Sequence, residues 1–458
     1  MDTDKAQVTG TKEGTCLKFP EGFKFGVASS SAQTEGCGFE GGRGLSIWDV
    51  FAEKPNAIRG GFKPSQAACE SYRMFDTDLK NLIGLGVNSY RMSIAWERVL
   101  PEGTGALNQK GTDYYKRCFD KLLEAGIAPN VTLYHWDLPQ KLEEKGGWLS
   151  RDSKRWFQEY ADKMFRLYGD IIPNWVTLNE PISVFCGYGL GFFAPGYTNK
   201  AWGNQARHNV MTASGAAVEA YRASGHKGEI GVVVDIWKRI PMTNTPEDIA
   251  LARDEDEENW KFYTDRLLGG GYSDYILDKF EKEGTLMQME DEDFRLTNLP
   301  IDFYGMNYYN TVPVSTKKEN IVGANQGGNF AEDRKVSNPE GLYDVLHMIR
   351  DMYKLKIPIY ISENGYGHDG PETVNAADGM VHDDYRIEYL SKALEAVEKL
   401  IADGVDIRGY YLWTLMDNWE WSAGHDVKYG LLHTDFETYE RTWKKSAYWY
   451  RDFIAQSR

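Results

Sequence analysis

Eight short runs of β-branched and aromatic residues recur along the chain at 23–28, 89–94, 128–133, 175–178, 230–234, 301–306, 358–362 and 409–415. Runs of this length and composition predict buried strands. Between several of them lie longer stretches with the helical period: 72–85, with Tyr72, Phe75, Leu79 and Leu82 on one face, then 112–125, 155–168 and 385–402. Strand and helix in alternation imply a parallel sheet. Eight such units in one chain imply an α/β fold of one kind, a closed (β/α)8 or TIM barrel with its active face at the C-terminal ends of the strands. No Gly-rich dinucleotide loop or phosphate loop follows a strand, which disfavours an open doubly wound sheet.

No shift in composition marks a linker, so 1–458 is expected to form one barrel domain, with 1–15 a flexible polar N-terminus. The interval 284–338, apart from its strand, is the richest in polar and charged residues. It is expected to form loops over the barrel mouth, with 315–338 the most mobile part.

Two strands deliver a carboxylate in the same way. The seventh runs into Glu363 and then a turn signal, Asn364-Gly365; the fourth runs into Glu180, with Asn179 before it and Pro181 after it. A single strand-end carboxylate is as readily a solvated side chain. Two at one mouth are what glycosidic-bond cleavage requires, one to protonate the leaving oxygen and one to attack or to activate water. Other strand ends carry Gln33, Arg91, the run His135-Trp136-Asp137, the run Asn307-Tyr308-Tyr309, and a stretch from Trp413 to Trp421 that includes Glu420. Amide, imidazole and carboxylate groups can form paired hydrogen bonds to neighbouring hydroxyls. Taken singly, each has a structural reading: His135 as a satisfied core histidine, Arg91 as an ion pair, Trp413, Trp419 and Trp421 as packing.

Composition narrows the function further. With 42% hydrophobic and 26% charged residues the chain is not disordered, and a formal charge of -16 opposes binding to nucleic acid, whose affinity comes from cationic neutralisation of phosphates. An aromatic share of 14%, including 14 Trp and 28 Tyr, suits a sugar cleft, where flat rings stack on the C–H faces of pyranoses. The cysteines at 16, 37, 69, 118 and 186 are odd in number and show no C-x-x-C spacing, so neither a disulfide framework nor a zinc site is indicated. No signal-peptide core and no membrane-length apolar run is visible. A cytoplasmic enzyme without cofactor, nucleic-acid partner or membrane partner is expected, its oligomeric state open.

The stretches Phe23 through Glu35, Tyr134-His-Trp-Asp-Leu-Pro139, Thr177-Leu-Asn-Glu-Pro181, Ile361-Ser-Glu-Asn-Gly365 and Trp413 through Trp421 together resemble glycoside hydrolase family 1 β-glycosidases, most of all bacterial β-glucosidases, over nearly the whole chain. The resemblance implies retaining double displacement on a terminal β-glucosyl, galactosyl or fucosyl residue of a small carbohydrate or aryl glycoside. It makes Glu363 the nucleophile and Glu180 the acid/base, about 5 to 5.5 Å apart as in retaining enzymes generally. Arg91 and Tyr309 are the candidates to keep Glu363 ionised. By resemblance Asn179 binds the 2-hydroxyl, Gln33, His135, Glu420 and Trp421 hold the other hydroxyls, and Trp413 lies under the ring; Trp136 and Asn307 complete the candidate wall.

The chain departs from the family pattern on the leaving-group side. Ala32 precedes Gln33 where an aromatic or Asn is usual, Ile182 follows Glu180-Pro181 where many bacterial members have Trp, and the segment before Pro339 lacks the usual Gly-Trp. Trp136 is then expected to be the remaining flat surface for an aglycone. Two rival readings stay open, a 6-phospho-β-glycosidase and a sugar-binding pseudoenzyme. Glu420 and Val427, where phosphate-selective relatives place Ser and Lys, disfavour the first, and the presence of both carboxylates disfavours the second.

Overall fold

The β-branched runs pair side by side in sequence order until the last meets the first. The computed structural model describes residues 17–64, 68–317 and 337–458. The expectations for 1–15, for Cys16 and for most of 315–338 lie outside the described residues. Strands β1 (Lys24–Ala28), β2 (Ser89–Ser93), β3 (Ala128–Tyr134), β4 (Asn174–Asn179), β5 (Glu229–Asp235), β6 (Phe303–Asn307), β7 (Ile359–Asn364) and β8 (Ile407–Trp413) form a closed, wholly parallel barrel. β8 closes on β1 with Lys24 beside Gly409 and Ala28 beside Trp413. The expected (β/α)8 barrel is therefore present, with every strand within two residues of its sequence position.

One strand end differs from the reading in a way that matters. β7 runs on through Asn364 instead of turning there, because the Asn364 side chain donates to Tyr308 O at 2.6 Å and accepts from the Tyr410 hydroxyl at 2.6 Å. Those two bonds hold a turn-prone residue in the sheet, and Glu363 projects from regular strand.

Inside the barrel Ala28, Val176, Val233, Phe303, Tyr360 and Tyr411, from six different strands, form one apolar cluster. Large rings fit only because facing positions are empty. A Cβ on Gly26 would lie 2.4 Å from the Tyr411 ring, and one on Gly231 would lie 2.5 Å from Phe303.

Helices α1 (Ser71–Leu85), α2 (Gln109–Glu124), α3 (Ser153–Tyr168), α4 (Lys200–Ser224), α5 (Gly341–Tyr353), α6 (Asp384–Ala402) and α7 (Lys445–Ser457) cover the outside. α2 shows why such stretches are helical: Tyr114, Tyr115, Cys118, Phe119 and Leu122 recur at three- and four-residue spacing and are buried, while Lys116, Arg117 and Asp120 face outward. Truncating a ring such as Phe119 to Ala would cost about 3–5 kcal/mol. No described helix is long and apolar enough to cross a membrane.

The segment before β6 corrects the expectation of mouth loops over 284–338. It contains a helix, Asp291–Thr297. Its buried Asp293 accepts two hydrogen bonds from Arg151 at 2.9 and 2.8 Å and meets His208 Nε2 of α4 at 3.0 Å. Of the charges that read as a solvated loop, Asp293 is used in a buried polar joint, while Glu290, Asp291, Glu292 and Arg295 stay exposed.

Candidate active site

Glu363, near the end of β7, is buried and is gripped from two directions. Arg91 of β2 donates Nη1–H to Oε1 at 2.5 Å, and the Tyr309 hydroxyl, just beyond β6, donates to Oε2 at 2.7 Å. Asn307, the last residue of β6, stands in register with Glu363 and donates to Glu180 Oε1 at 2.6 Å and to Asn179 Oδ1 at 3.1 Å. Arg91 Nη2 also reaches Asn179 Oδ1, at 2.6 Å. Arg91, Asn179 and Asn307 thus tie the two carboxyl groups to one scaffold.

That scaffold sets the state of His135. With Asn179 Oδ1 taken by two donors, its Nδ2 must face His135 Nε2, 3.1 Å away. The amide N–H donates, so Nε2 accepts and the ring proton sits on Nδ1. His135 Nδ1 has no protein partner among the described residues. Burial, with Arg91 close by, holds the imidazole well below its ordinary range and so neutral.

Glu180 leaves β4 at φ 45°, the left-handed region that a non-glycine residue occupies at a cost, and the step before Pro181 adds to it. Trp136 at φ 76° and Trp421 at φ 50° share that conformation, so three of the eight non-glycine residues with positive φ among the described residues stand at this mouth. Burial, then the charges of Asp235 and Glu363, push the Glu180 carboxyl well above the ordinary carboxylate range. A protonated carboxylic acid therefore stands with a second carboxyl group in one polar cluster.

The other candidates line the far wall. Trp413, ending β8, stacks on His135 with centroids 5.8 Å apart, and Trp421 stacks on the same imidazole at 6.1 Å. Gln33 Nε2 donates to Trp419 O at 2.8 Å and to Asn418 Oδ1 at 3.1 Å, with Glu420 Oε2 at 3.4 Å. Its Oε1 accepts from Ser30 at 2.7 Å. Gln33 therefore fastens the loop after β8, which carries the half-buried Glu420.

Two expectations change. Trp136 is only 9% exposed; its ring packs on Trp421 and Phe193 at 4.5 and 5.1 Å, and its Nε1–H donates to Asn179 O at 2.9 Å. It is a wall of the cluster and not an open aglycone surface. Asn307, expected on the substrate, also bonds Glu180 and Asn179 through its amide N–H groups, while its Oδ1 has no protein partner among the described residues. Two residues were missed, Asp235 and Trp237 at the end of β5. Asp235 is buried, and its carboxyl is pushed up to about 7 by burial, with the Glu363 charge adding to the rise. Both residues follow the rule, polar or aromatic at a strand end, that singles out the others.

Among the described residues, Glu372, Asp417 and His433 are a group whose donor atoms lie within 4.8 Å of one another, as a metal would need. Lys444 already lies between them, bonded to Glu372 and 2.7 Å from Asp417 Oδ1, so an ammonium group holds the cationic position.

An acid held protonated beside a second carboxyl group, in a mouth walled by tryptophan, is the arrangement that cleaves glycosidic bonds. The chain matches the family model described as glycosyl hydrolase family 1 over residues 16–458, and it belongs to that family of retaining O-glycosyl hydrolases. It is 38% identical over 445 residues to Beta-glucosidase A of Acetivibrio thermocellus, covering 96% of this chain and 98% of that one. It is 37% identical to a bifunctional beta-D-glucosidase/beta-D-fucosidase of Bifidobacterium breve, over 95% and 98% of the two chains. The solved beta-glucosidase of Thermotoga maritima in complex with glucoimidazole superposes with a TM-score of 0.89 at 36% identity, covering 96% of this chain and 99% of that one.

Proposed function

We propose that this enzyme removes the terminal non-reducing β-D-glucosyl residue from small unphosphorylated glycosides or disaccharides, with galactosyl and fucosyl residues as further substrates. The observation that carries this reading is the joint wiring of the two carboxyl groups, Arg91 and Tyr309 on Glu363 and Asn307 on Glu180. The names of the relatives support the sugar, glucose in each case and fucose in one.

In the first half-reaction Glu363 attacks the anomeric carbon, and the C–O bond to the leaving group breaks as Glu180 gives that oxygen its proton. The glycosyl ester on Glu363 carries no charge, so a cause of the raised Glu180 pKa disappears. Glu180, now ionised, takes a proton from water, which attacks the anomeric carbon and frees Glu363 with retention of configuration. Asn179, its amide fixed by Arg91 and Asn307, sits beside Glu180 to meet the 2-hydroxyl. The His135 Nδ1–H is a donor to a further hydroxyl, with Trp413 under the sugar ring.

The 6-phosphoglucoside reading is disfavoured by Glu420, a half-buried acid that would repel phosphate, and by Val427, 2% exposed in a short ribbon with Asp369. The four described cysteines are free and buried, which suits a reducing compartment such as the cytoplasm. A panel of nitrophenyl β-glucoside, galactoside, fucoside and 6-phosphoglucoside tests the reading, with NMR of the first-formed anomer. Plain glucoside cleaved fastest with β-glucose appearing first is expected. Faster cleavage of the phosphoglucoside, or α-glucose first, would overturn it.

A further inference from the structure

Tyr309 can donate steadily to Glu363 only while its own backbone is held. The strands do part of this: Tyr308 N–H donates to Glu363 O at 3.0 Å, and Tyr308 O accepts from the Asn364 side chain at 2.6 Å. Tyr309 lies one residue beyond that contact. The donor to its carbonyl comes from outside the barrel, from the Tyr389 hydroxyl of helix α6. Arg386, Tyr389, Leu390, Ala393 and Val397 recur along α6 at three- and four-residue spacing and are buried, so its inner face carries two polar side chains with it. Arg386 is anchored by Asp383 at 2.8 Å and Glu372 at 2.9 Å. One turn on, Tyr389 is 2% exposed and is presented from that fixed base.

The direction of each bond at Tyr389 is forced. Asn364 Oδ1 is taken by the Tyr410 hydroxyl at 2.6 Å, so Asn364 turns its Nδ2 to Tyr389. The amide N–H donates to the Tyr389 oxygen at 3.0 Å, and the one phenolic proton of Tyr389 goes to Tyr309 O, which can only accept. Tyr309 gives its own hydroxyl proton to Glu363 Oε2 at 2.7 Å, and Asn364 follows Glu363 in the chain. These links close a ring: Glu363 carboxylate, Tyr309 hydroxyl, Tyr309 carbonyl, Tyr389 hydroxyl, Asn364 amide, and back along the chain to Glu363. Tyr389 is the member of that ring that does not come from the ends of β6 and β7.

We propose that Tyr389 is a positioning residue for the nucleophile: by bonding the Tyr309 carbonyl and the Asn364 amide at once, it fixes the Tyr309 hydroxyl on Glu363. The inference rests on the glycosidase reading above and adds to it a residue on the outer helical layer. Tyr389 acts through Tyr309 and not on the substrate. A donor kept on Glu363 favours the carboxylate that must attack the anomeric carbon. With the Tyr389 hydroxyl gone, a buried carbonyl loses its donor and the segment after Tyr308 is free to turn, taking the Tyr309 hydroxyl with it. Arg91 still holds Oε1, so the loss is partial.

The test is Tyr389→Phe, alone and combined with Tyr309→Phe, with Tyr410→Phe as the control. Tyr389→Phe keeps the ring and its packing and removes only the bridging hydroxyl. Its kcat/KM for nitrophenyl β-glucoside should fall about three- to thirtyfold, the range of one lost buried hydrogen bond, and mainly in kcat. The acid limb of the kcat/KM profile should move up by about half a pH unit, because the carboxylate is less well served by a donor that favours its ionised form. In the Tyr309→Phe background the same change should cost less than about twofold and leave the limb where Tyr309→Phe alone sets it, since the hydroxyl it serves is already gone. Tyr410→Phe deprives Asn364 of a bond without touching Tyr309; it should lower the melting temperature and leave the limb in place. An unmoved limb in Tyr389→Phe, additive losses in the two backgrounds, an equal shift in Tyr410→Phe, or a Tyr389→Phe chain that does not fold would each make Tyr389 merely structural and overturn the proposal. A wild-type enzyme inactive on every β-glycoside would instead overturn the glycosidase reading beneath it.

Discussion

Asn307 reaches across from β6 to donate its side-chain N–H to Glu180 Oε1 at 2.6 Å, while two residues on Tyr309 donates to Glu363. One short segment therefore addresses both carboxyl groups. A donor on a carboxylate favours its ionised form, and Asn307 opposes the rise that burial, Asp235 and Glu363 impose on Glu180. Replacing Asn307 by Ala should move the alkaline limb of the kcat/KM profile to higher pH and lower turnover of alkyl glucosides more than of nitrophenyl glucoside. A profile with an unmoved alkaline limb would remove Asn307 from the acid's environment.

Glu363→Gly should abolish turnover, and azide should restore it with inverted product, since a small anion can occupy the place of the lost nucleophile. Glu180→Ala should cost about 10²- to 10⁴-fold on substrates whose leaving group needs a proton and much less on dinitrophenyl glucoside. Equal losses on both substrate types would reassign Glu180.

Asp235 gives a pH dependence of stability with a definite sign. Its folded pKa is raised to about 7, so the native state keeps a proton that the unfolded chain has released. The resulting stabilisation is complete below the ordinary aspartate value near 4 and disappears as pH rises to about 7. Asp235→Asn should flatten the dependence of the melting temperature on pH across that window. Removing the charge should also lower the Glu180 pKa and move the alkaline limb of activity to lower pH, opposite to Asn307→Ala. A melting profile as steep as that of wild type would show that Asp235 does not carry the proton.

Lys444 offers a stability test away from the chemistry. Burial favours the neutral form of Asp417, but Lys444, with His433 and Lys428, outweighs it and holds the carboxyl well below the ordinary range. A depressed carboxyl contributes stability above its unfolded pKa, near 4, and loses it as pH falls. Lys444→Met removes the ammonium group shared by two buried carboxylates, leaving Asp417 with His433 and Glu372 with Arg386, and should destabilise the fold by about 3–5 kcal/mol, as broken buried ion pairs generally do. Denaturant midpoints at pH 7 measure it, and a loss below about 1 kcal/mol, the level of an exposed pair, would contradict it.

The barrel was legible because buried parallel strands leave continuous apolar runs, and the carboxyl pair was legible because each ends such a run. What one strand cannot disclose is its register with the next. Asn307 reads as a substrate ligand from its own strand and becomes a partner of Glu180 only once β6 lies beside β7. Trp136 reads as an open surface because Phe193 and Trp421, which enclose it, come from distant loops. Trp237 was readable by the strand-end rule but lay beyond the apolar run that drew attention to β5. The helix at 291–297 was hidden by its charges, most of them exposed as a loop's would be, with Asp293 alone turned into a buried ion pair.

The closure of β8 on β1 has a consequence for how the enzyme is made. Gln33 bonds Trp419 O, a residue made 386 positions later. Until β8 has been synthesised, β1 and β7 each have an unpaired edge, open to other nascent chains. The loop bearing Glu420 and Trp421, which Gln33 fastens, follows β8 and is made only after it. Catalytic competence therefore arrives only once the loop after β8 has been made, and a chain terminated before it is an inactive, edge-exposed client for chaperones, not a partly working enzyme.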